Sequence, residues 1–454
     1  MYESGDGGPP ITMRRYLIAF AVGWSLCLLT TGLLRFAGDA QQFPLVVSRG
    51  GLPLPAAQTF NPGRHSFLTW VDWSGRSIGD FSPIFHAAQG LARDPGYELY
   101  RPHELSEHRA SFVYTPFTAL LLAPFAGPDV TLAAVADGVS VANHLLALVG
   151  CGLILLVLAR GRPLRPGLVA IFVLHALLFY PLASALHLTQ AGVWIFFALA
   201  VSVWALDAGR PLIAGIALAL GASIKPHLVV VPILIAFVPG MPRRLLAGAG
   251  VGLAATAALS LAYAGWDNCR AYLFDTLPSL SAGYSYFRNQ GLNGLLLRVF
   301  TDQDPAEFNL ARPVPWIRAA SMLWGLVLLA ATVIACRRGA KRAPDDAEGG
   351  LLRYAAVLAA AVLASPVCWI HHLILLAIPI AIAARALLRD RTLAAGPLPM
   401  LLLAGSLMAG FLFDAGGLAN GWPSVFSGLE LYGALLVLAC LLRIQAQRTP
   451  LLAP

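Results

Sequence analysis

Asp80 is a carboxylate in a chain that is otherwise largely apolar. It lies in Ser77-Ile78-Gly79-Asp80-Phe81, at the end of a long polar stretch that follows the first apolar segment. At such a boundary between water and lipid, a carboxylate can take up a proton as a general base. It can equally serve as the N-terminal cap of the following stretch, residues 82–91. The choice depends on which other polar residues the fold brings to it.

Lys225 and the pair His371-His372 are the next candidates: Lys225 is beside Pro226, and the histidines are near Pro366, in apolar surroundings. Ionisable groups at membrane depth are costly and usually mark a function. Nearby prolines break the helix, which lets backbone polar groups line a cavity. The alternatives are a lysine that reaches toward the membrane surface and histidines that lie at the interface. A metal held by the histidines and Asp80 is a further alternative, but adjacent histidines point to different sides of a helix, so we predict no metal site.

Membrane helices must position these residues. Only 12% of the 454 residues are charged, whereas an ordinary soluble domain has about 25%. Repeated apolar runs of roughly 17–25 residues indicate spanning helices, so we predict an all-α polytopic membrane protein with about 12 transmembrane helices in a single domain, 1–454. Two segments are too short to cross a core of about 30 Å and form either one broken helix or two spans, 211–224 and 228–240. The others are 16–34, 130–159, 167–181, 189–206, 245–264, 316–336, 351–365, 371–388, 397–413 and 428–446.

Arginine predicts the orientation, because cytoplasmic loops of membrane proteins are enriched in Lys and Arg. If Arg14 and Arg15 are cytoplasmic, every short Arg-rich connection falls on that face, and both termini are cytoplasmic. The outer face then receives two long loops, 35–129 and 265–315, of which the first carries short interfacial helices; 340–350 is a cytoplasmic linker. The clusters on the cytoplasmic face are Arg160/Arg162/Arg165, Arg210, Arg243/Arg244, Arg337/Arg338/Lys341/Arg342, Arg385/Arg389/Arg391 and Arg443/Arg448.

The same topology brings the unusual polar residues together on the outer face. Each has an ordinary explanation when taken alone: a histidine can be merely interfacial, and Asn289-Gln290 can be a plain loop turn. Cys269 and Cys368 also fall on this face, and whether they pair is left open. The residues collected there are Asp80, His187, Gln190, Lys225, His227, Tyr284, Tyr286, Arg288, Asn289, Gln290, Trp369, His371 and His372.

Several short motifs, in this order, resemble the polyprenyl-phosphate-dependent glycosyltransferases of the GT-C type, specifically glycosyltransferase family 87. The resemblance covers about residues 78 to 380. The chain departs from the family pattern at Ile84-Phe85, where a tyrosine pair is frequent, and at Thr189, where glycine is frequent. The matching motifs are Gly79-Asp80-Phe81, Ala87-Ala88 with Gly90, Tyr97 and Tyr100, Phe112-Val113-Tyr114-Thr115-Pro116, Thr189-Gln190-Ala191-Gly192, Ile224-Lys225-Pro226, Asn289-Gln290-Gly291-Leu292, and Ser365-Pro366 with Trp369 and His371-His372.

The resemblance implies an inverting glycosyltransferase in a bacterial inner membrane, with its active site on the outer face. It would move a sugar, by default mannose and alternatively arabinofuranose, from a polyprenyl-phosphate monosaccharide to a glycolipid or glycan acceptor. No cofactor, metal or nucleic acid is implied. Asp80 would be the catalytic base. The donor phosphate would be bound by Lys225, His371, His372 and Arg288, and the sugar or acceptor by Tyr114, His187, Gln190, His227, Asn289, Gln290 and Trp369.

Other functional classes remain open at this stage. A secondary transporter also has about 12 spans, but it usually carries its ionisable residues near the midplane and shows internal symmetry. Here the polar residues gather at one face, and no repeat is visible. A GT-C enzyme of different chemistry, such as an oligosaccharide ligase or a lipid-A aminosugar transferase, and a non-catalytic scaffold are the further alternatives. A groove that opens onto Asp80 and Lys225 together favours the enzyme, whereas a cavity connected to both sides favours the transporter.

Overall fold

The computed structural model describes residues 80–94, 96–100, 112–160, 164, 166–305, 311–342, 347–411 and 421–447, with Ile18, Val22, Gly23, Ser25 and Leu26 near the N-terminus. Most of the predicted first helix, 16–34, and the first part of the first outer loop therefore lie outside the described residues. So do Arg14 and Arg15, on which the predicted orientation depends.

Helices account for all the regular elements of the described residues, as predicted from the apolar segments. The α-helices are α1 Ser82–Arg93, α2 Pro116–Leu122, α3 Leu132–Ala159, α4 Pro166–Leu178, α5 Tyr180–His187, α6 Gly192–Asp207, α7 Pro211–Ile224, α8 Val230–Ala236, α9 Arg243–Ala271, α10 Leu277–Leu280, α11 Leu292–Phe300, α12 Pro315–Arg342, α13 Ala347–Ala364, α14 Ala377–Arg389, α15 Arg391–Ala395, α16 Leu398–Gly410 and α17 Leu429–Gln447. Short 3-10 or π turns adjoin some of them: Ala123–Phe125 after α2, Pro226–Val229 before α8, Tyr272–Thr276 between α9 and α10, Ile370–Leu376 before α14 and Trp422–Gly428 before α17.

The predicted number of about 12 transmembrane helices is not confirmed. Within the described residues, 6 helices are long and apolar enough to cross a membrane, and the count rises to 7 if α4 and α5, which meet at 48°, form one bent span. Other predicted segments fold as apolar helices of 10–17 residues, among them α6, α7 and α16. At about 1.5 Å per residue, such helices are shorter than an apolar core of about 30 Å.

The segment 211–240 is interrupted at Lys225. Pro211 begins α7, where its missing N–H is not needed, and Pro226 ends it. A residue that precedes proline is driven out of the helical region, and Lys225 accordingly has an extended backbone with φ −124° and ψ 103°. The chain then resumes as a 3-10 turn and α8. The break places the lysine in the gap between two short helices.

Glycines let α7 and α9 pack backbone to backbone. A Cβ on Gly215 of α7 would lie 2.0 Å from the carbonyl oxygen of Leu245, and one on Gly248 of α9 would lie 2.1 Å from that of Leu212. Small residues at helix contacts permit this close approach inside membranes, where tight packing replaces the hydrophobic effect between helices. The contact fixes α7, and with it Lys225 at its C-terminal end.

A buried ionic cluster ties four helices together at the opposite end of α6 from Gln190. The guanidinium of Arg385 donates to Asp207 Oδ1 at 2.8 Å and to the carbonyl oxygen of Val157 at 2.8 Å, and its Nη2 lies 2.9 Å from Glu348 Oε2. Arg160 pairs with Asp207 at 3.2 Å, and Arg389 with Glu348 at 2.8 Å. Because α6 is about 24 Å long, the cluster and the residues around Gln190 lie at opposite ends of the bundle.

Replacing Arg385 with methionine is expected to lower stability by about 3 kcal/mol, the lower end of the cost of leaving a buried charge without its partner, since each carboxylate keeps a second arginine. Thermal unfolding of the detergent-solubilised protein measures this. Turnover per folded molecule, measured well below the melting temperature, should be retained. Arg389→Met is the matched control and should cost less, because the Arg389 side chain is 30% exposed. An unchanged melting temperature for Arg385→Met would contradict a stabilising role for the cluster.

Candidate active site

A single cavity of about 300 Å³ brings together residues that are far apart in the sequence. It lies where α1, the end of α7, the end of α9 with α10, and the segment 365–372 meet. A wider depression of about 620 Å³ beside Thr301 and Arg312 contains none of the predicted site residues. The predicted residues that line the smaller cavity are Asp80, Tyr114, Gln190, Lys225, His227, Trp369, His371 and His372.

Asp80 is half-buried in front of α1, with its carboxylate directed to Gln190. Gln190 Nε2 donates to Asp80 Oδ2 at 2.5 Å. The N-cap of α1 is Phe81 and has no side-chain cap bond, so the structure gives no support to the capping alternative for Asp80. Burial raises the pKa of Asp80 above its ordinary value, and the bond from Gln190 and the positive charges of Lys225 and Arg288 act in the opposite direction.

The turn between α5 and α6 carries Gln190 into the cavity. Thr189 in this turn has φ 51°, the left-handed region that β-branched residues rarely adopt. Gln190 N donates to Ala185 O at 2.9 Å, and Gln190 O accepts a bond from Asn143 Nδ2 at 3.3 Å. The side-chain oxygen of Gln190 accepts a 2.9 Å bond from the Tyr114 hydroxyl. Strained backbone of this kind clusters at functional sites, where the surrounding structure enforces it.

Lys225 supplies the amine that lines the cavity. Its Nζ contacts Nε2 of His372, and it lies 5.9 Å from the centroid of the Tyr114 ring. Nδ1 of the same histidine accepts a 3.2 Å bond from the backbone N–H of Trp369. His227 stacks on His372 with ring centroids 6.3 Å apart. Lysine and three histidines, counting His371, therefore line the same cavity as Asp80.

Asn289 and Gln290 were predicted to bind the sugar, but they do not line the cavity. Asn289 Oδ1 accepts a bond from the backbone N–H of Cys368 at 2.9 Å, and Asn289 Nδ2 donates to Tyr284 O at 3.0 Å. Gln290 Nε2 donates to Ser427 O at 3.0 Å. The Asn289 side chain ties the predicted second outer loop to the segment that carries Trp369, with which Asn289 also forms an antiparallel backbone bridge. The Gln290 amide ties the same loop to the turn before α17. Their observed contacts are structural.

Arg288 and His187 also lie outside the cavity lining. The carbonyl oxygen of Arg288 accepts a 3.1 Å bond from Ile370 N, and its guanidinium lies 5.5 Å from the centroid of the Phe287 ring. Its charge nevertheless contributes to lowering the pKa of Asp80. His187 is half-buried at the C-terminal end of α5. We therefore place neither side chain in direct contact with a ligand.

Residues 112–366 match the sequence model of glycosyltransferase family 87, which is more than half of the chain. The chain belongs to glycosyltransferase family 87. It is therefore a membrane glycosyltransferase, and the transporter and scaffold alternatives are set aside. No curated protein and no solved structure matches the chain. Asp80, His371 and His372 lie outside the matched residues. Their place in the site therefore rests on the geometry of the cavity.

The site of this family 87 enzyme also contains residues that the sequence did not single out. Tyr272, Leu277, Leu280 and Ser281 form one wall of the cavity, on the π turn and the helix that follow α9. A composition of leucine and tyrosine gives no signal of a binding surface in a chain that is apolar throughout. Asn143 is fully buried within α3. It could have been singled out from the sequence, because an amide inside an apolar helix must find polar partners.

The described thiols and potential metal ligands show neither a disulfide nor a metal-binding cluster. Among the described residues, no group of three or more histidine, cysteine or acidic residues is arranged to hold a metal ion. Cys269 and Cys368 are both free thiols and do not pair with each other. The polar groups that line the cavity are one carboxylate, one lysine, three histidines and neutral donors.

Thr189→Gly is expected to keep the activity of this glycosyltransferase. Glycine adopts positive φ without steric cost, and the relief of about 1 kcal/mol roughly cancels the extra entropy that glycine loses on folding. Melting temperature and turnover should both stay close to those of the wild type. Thr189→Val keeps the branched shape and the backbone strain but lacks the hydroxyl. It therefore separates the effect of the hydroxyl from the effect of the backbone conformation. If Thr189→Gly and Thr189→Val are equally inactive, the hydroxyl has a direct role that the backbone explanation omits.

Proposed function

We propose that this glycosyltransferase moves a sugar from a polyprenyl-phosphate monosaccharide to a hydroxyl of a glycolipid or glycan acceptor, with inversion at the anomeric carbon. The observation that carries the proposal is that Asp80 and Lys225 line the same cavity. A base for the acceptor and a cation for the donor phosphate are the two groups that this reaction requires. The volume, about 300 Å³, is at the lower end of the range of small-molecule sites.

Lys225 binds the donor phosphate in this proposal. Lysine is a point charge that recognises phosphate without a fixed bidentate geometry. His371 and His372 lie beside it and supply further donors to the phosphate oxygens. As the bond between the anomeric carbon and the phosphate oxygen breaks, negative charge grows on the leaving phosphate, and fixed cations stabilise that charge in the transition state. Neutral residues suffice to bind the sugar, and Trp369 and Tyr114 offer their ring faces to it.

Asp80 activates the acceptor. The acceptor oxygen forms a bond to the anomeric carbon while its proton passes to the carboxylate, and polyprenyl phosphate departs with the electron pair of the broken bond. Gln190 occupies Oδ2 of Asp80 at 2.5 Å, so we assign the proton to Oδ1. General base catalysis of this kind contributes about 10²–10⁴-fold to rate.

The apolar wall of the cavity receives the prenyl chain. Leu277 lines the cavity and is itself 37% exposed, so we assign the entry of the prenyl chain to this side of the cavity. Val113 and Ile224 continue the same apolar surface inward. A lipid-linked donor can then place its phosphate at Lys225 while its chain remains in the bilayer.

Mannose is our first choice of sugar, and arabinofuranose is the alternative. We place the reaction on the outer face of a bacterial inner membrane with both termini cytoplasmic; the arginine distribution supports this orientation. Incubation of the purified enzyme with a panel of polyprenyl-phosphate sugars shows which donor is consumed. Consumption of a nucleotide sugar, and of no lipid-linked sugar, would refute the proposal.

Asp80→Asn is expected to reduce turnover about 10²–10⁴-fold while donor binding persists, because the amide cannot accept the acceptor proton as a base. In the wild type, activity should fall as the pH drops through the raised pKa of Asp80, since the protonated acid is not a base; this acidic limb should lie above the ordinary value of about 3.9. Asp94→Asn is the matched control: Asp94 ends the same helix, α1, and is exposed. Substantial activity in Asp80→Asn would remove Asp80 from the base role.

Lys225→Met is expected to weaken binding of the donor phosphate about 10- to 100-fold, which corresponds to loss of hydrogen bonds to a charged group. Binding of a polyprenyl-phosphate sugar in detergent micelles measures this. The chain has one other lysine, and Lys341→Met, at the exposed end of α12, is the matched control. Equal donor affinity of the two variants would refute the assignment of Lys225.

A further inference from the structure

Gln190 has both ends of its side-chain amide engaged. Nε2 donates to Asp80 Oδ2 at 2.5 Å, and Oε1 accepts a 2.9 Å bond from the hydroxyl of Tyr114. An ionised carboxylate can only accept hydrogen bonds, so the NH₂ group must face Asp80 and the oxygen must face the tyrosine. The amide therefore has one consistent orientation, and it connects Tyr114 to Asp80.

The main chain of Gln190 is held as firmly as its side chain. Trp194 Nε1 donates to Asn143 Oδ1 at 2.7 Å, and Asn143 Nδ2 donates to Gln190 O at 3.3 Å. Asn143 is fully buried and Gln190 is 3% exposed. The left-handed Thr189 precedes it. Three segments, α3, the turn before α6, and the loop that carries Tyr114, thus fix the position from which Gln190 contacts Asp80.

We propose that Gln190 is a positioning residue that orients the carboxylate of Asp80 and keeps it ionised, rather than a residue that binds the sugar. The inference rests on the proposed role of Asp80 as the base. A half-buried carboxylate loses part of its hydration, and a donor fixed by the protein replaces the lost water. By occupying Oδ2, Gln190 also directs Oδ1 toward the acceptor.

Charged and titratable groups from other elements also act on Asp80. Lys225 and Arg288 lower its pKa, and several histidines and tyrosines line the same cavity. Replacing any of these charged groups would shift the acidic limb through its charge alone. Gln190 is neutral, so a neutral replacement reports the hydrogen bond without changing the net charge. The titratable groups of the cavity besides Asp80 and Lys225 are Tyr114, His227, Tyr272, Tyr284, His371 and His372.

The pH–rate profile of Gln190→Leu tests the proposal. Loss of the donor should move the acidic limb of kcat/KM to higher pH by about 1–2 units, as expected for a hydrogen bond to a charged group. Activity should recover as the pH rises, with KM for donor and acceptor nearly unchanged. Gln89→Leu is the matched control, because Gln89 is on α1, does not line the cavity, and donates to the carbonyl oxygens of Gly127 and Val130. The acidic limb of kcat/KM in Gln89→Leu should stay at the wild-type pH.

Two further variants carry the test if Gln190→Leu does not fold. Gln190→Glu keeps the shape of the side chain and places two carboxyl groups in contact, which then share a proton, so the acidic limb should move further than in the leucine variant. Tyr114→Phe keeps the ring and removes the hydroxyl that fixes the amide, so its limb should move in the same direction by less. An acidic limb that stays at the wild-type pH in Gln190→Glu would overturn the proposal.

The outcomes separate this inference from the proposed function. An acceptor KM that rises in Gln190→Leu, with the limb unmoved, would make Gln190 a sugar-binding residue and overturn the positioning role. Activity of Asp80→Asn, in contrast, would refute the function itself, whatever the Gln190 variants show.

Discussion

The hydrogen bond between Gln190 and Asp80 is the contact on which the proposed chemistry depends. Burial at the edge of an apolar bundle disfavours the charged form of a carboxylate and raises its pKa. The raised pKa also makes the carboxylate a stronger base. Three further hydrogen bonds, made by Tyr114, Asn143 and Trp194, support Gln190. In our proposal, none of these hydrogen bonds acts directly on the anomeric carbon. Their contacts serve to hold one amide in place, and the amide in turn holds the acid.

The two ends of the bundle treat buried charge differently. At the end with the ionic cluster, each buried carboxylate is paired with arginine, and the charges satisfy one another. At the cavity, Asp80 faces a neutral amide, while Lys225 faces histidines. Asp80 and Lys225 line one cavity without forming an ion pair with each other. This contrast separates a structural use of charge from the catalytic use that we propose.

Much of this arrangement could be predicted from local sequence. The break at Lys225 follows from Pro226, and each predicted apolar segment within the described residues corresponds to a helix. The number of spans could not be predicted as well, because hydropathy identifies an apolar helix but not whether a 14-residue helix such as α7 crosses the bilayer. The contacts of Asn289 and Gln190 were beyond sequence reasoning for a related reason. An amide near a site can face a ligand, a carboxylate or a backbone carbonyl, and only the packing of distant segments decides which.

The contact of α7 with α9 through Gly215 and Gly248 has a consequence for any effort to change donor preference by directed evolution. Lys225 lies ten residues beyond Gly215, at the end of the same helix. A methyl group on that glycine would meet backbone atoms, which cannot move aside as a side chain can. The helix would have to shift as a whole and carry the lysine with it. Libraries confined to the cavity would leave these two glycines untouched, yet the glycines set the position of the cation as firmly as any residue beside it.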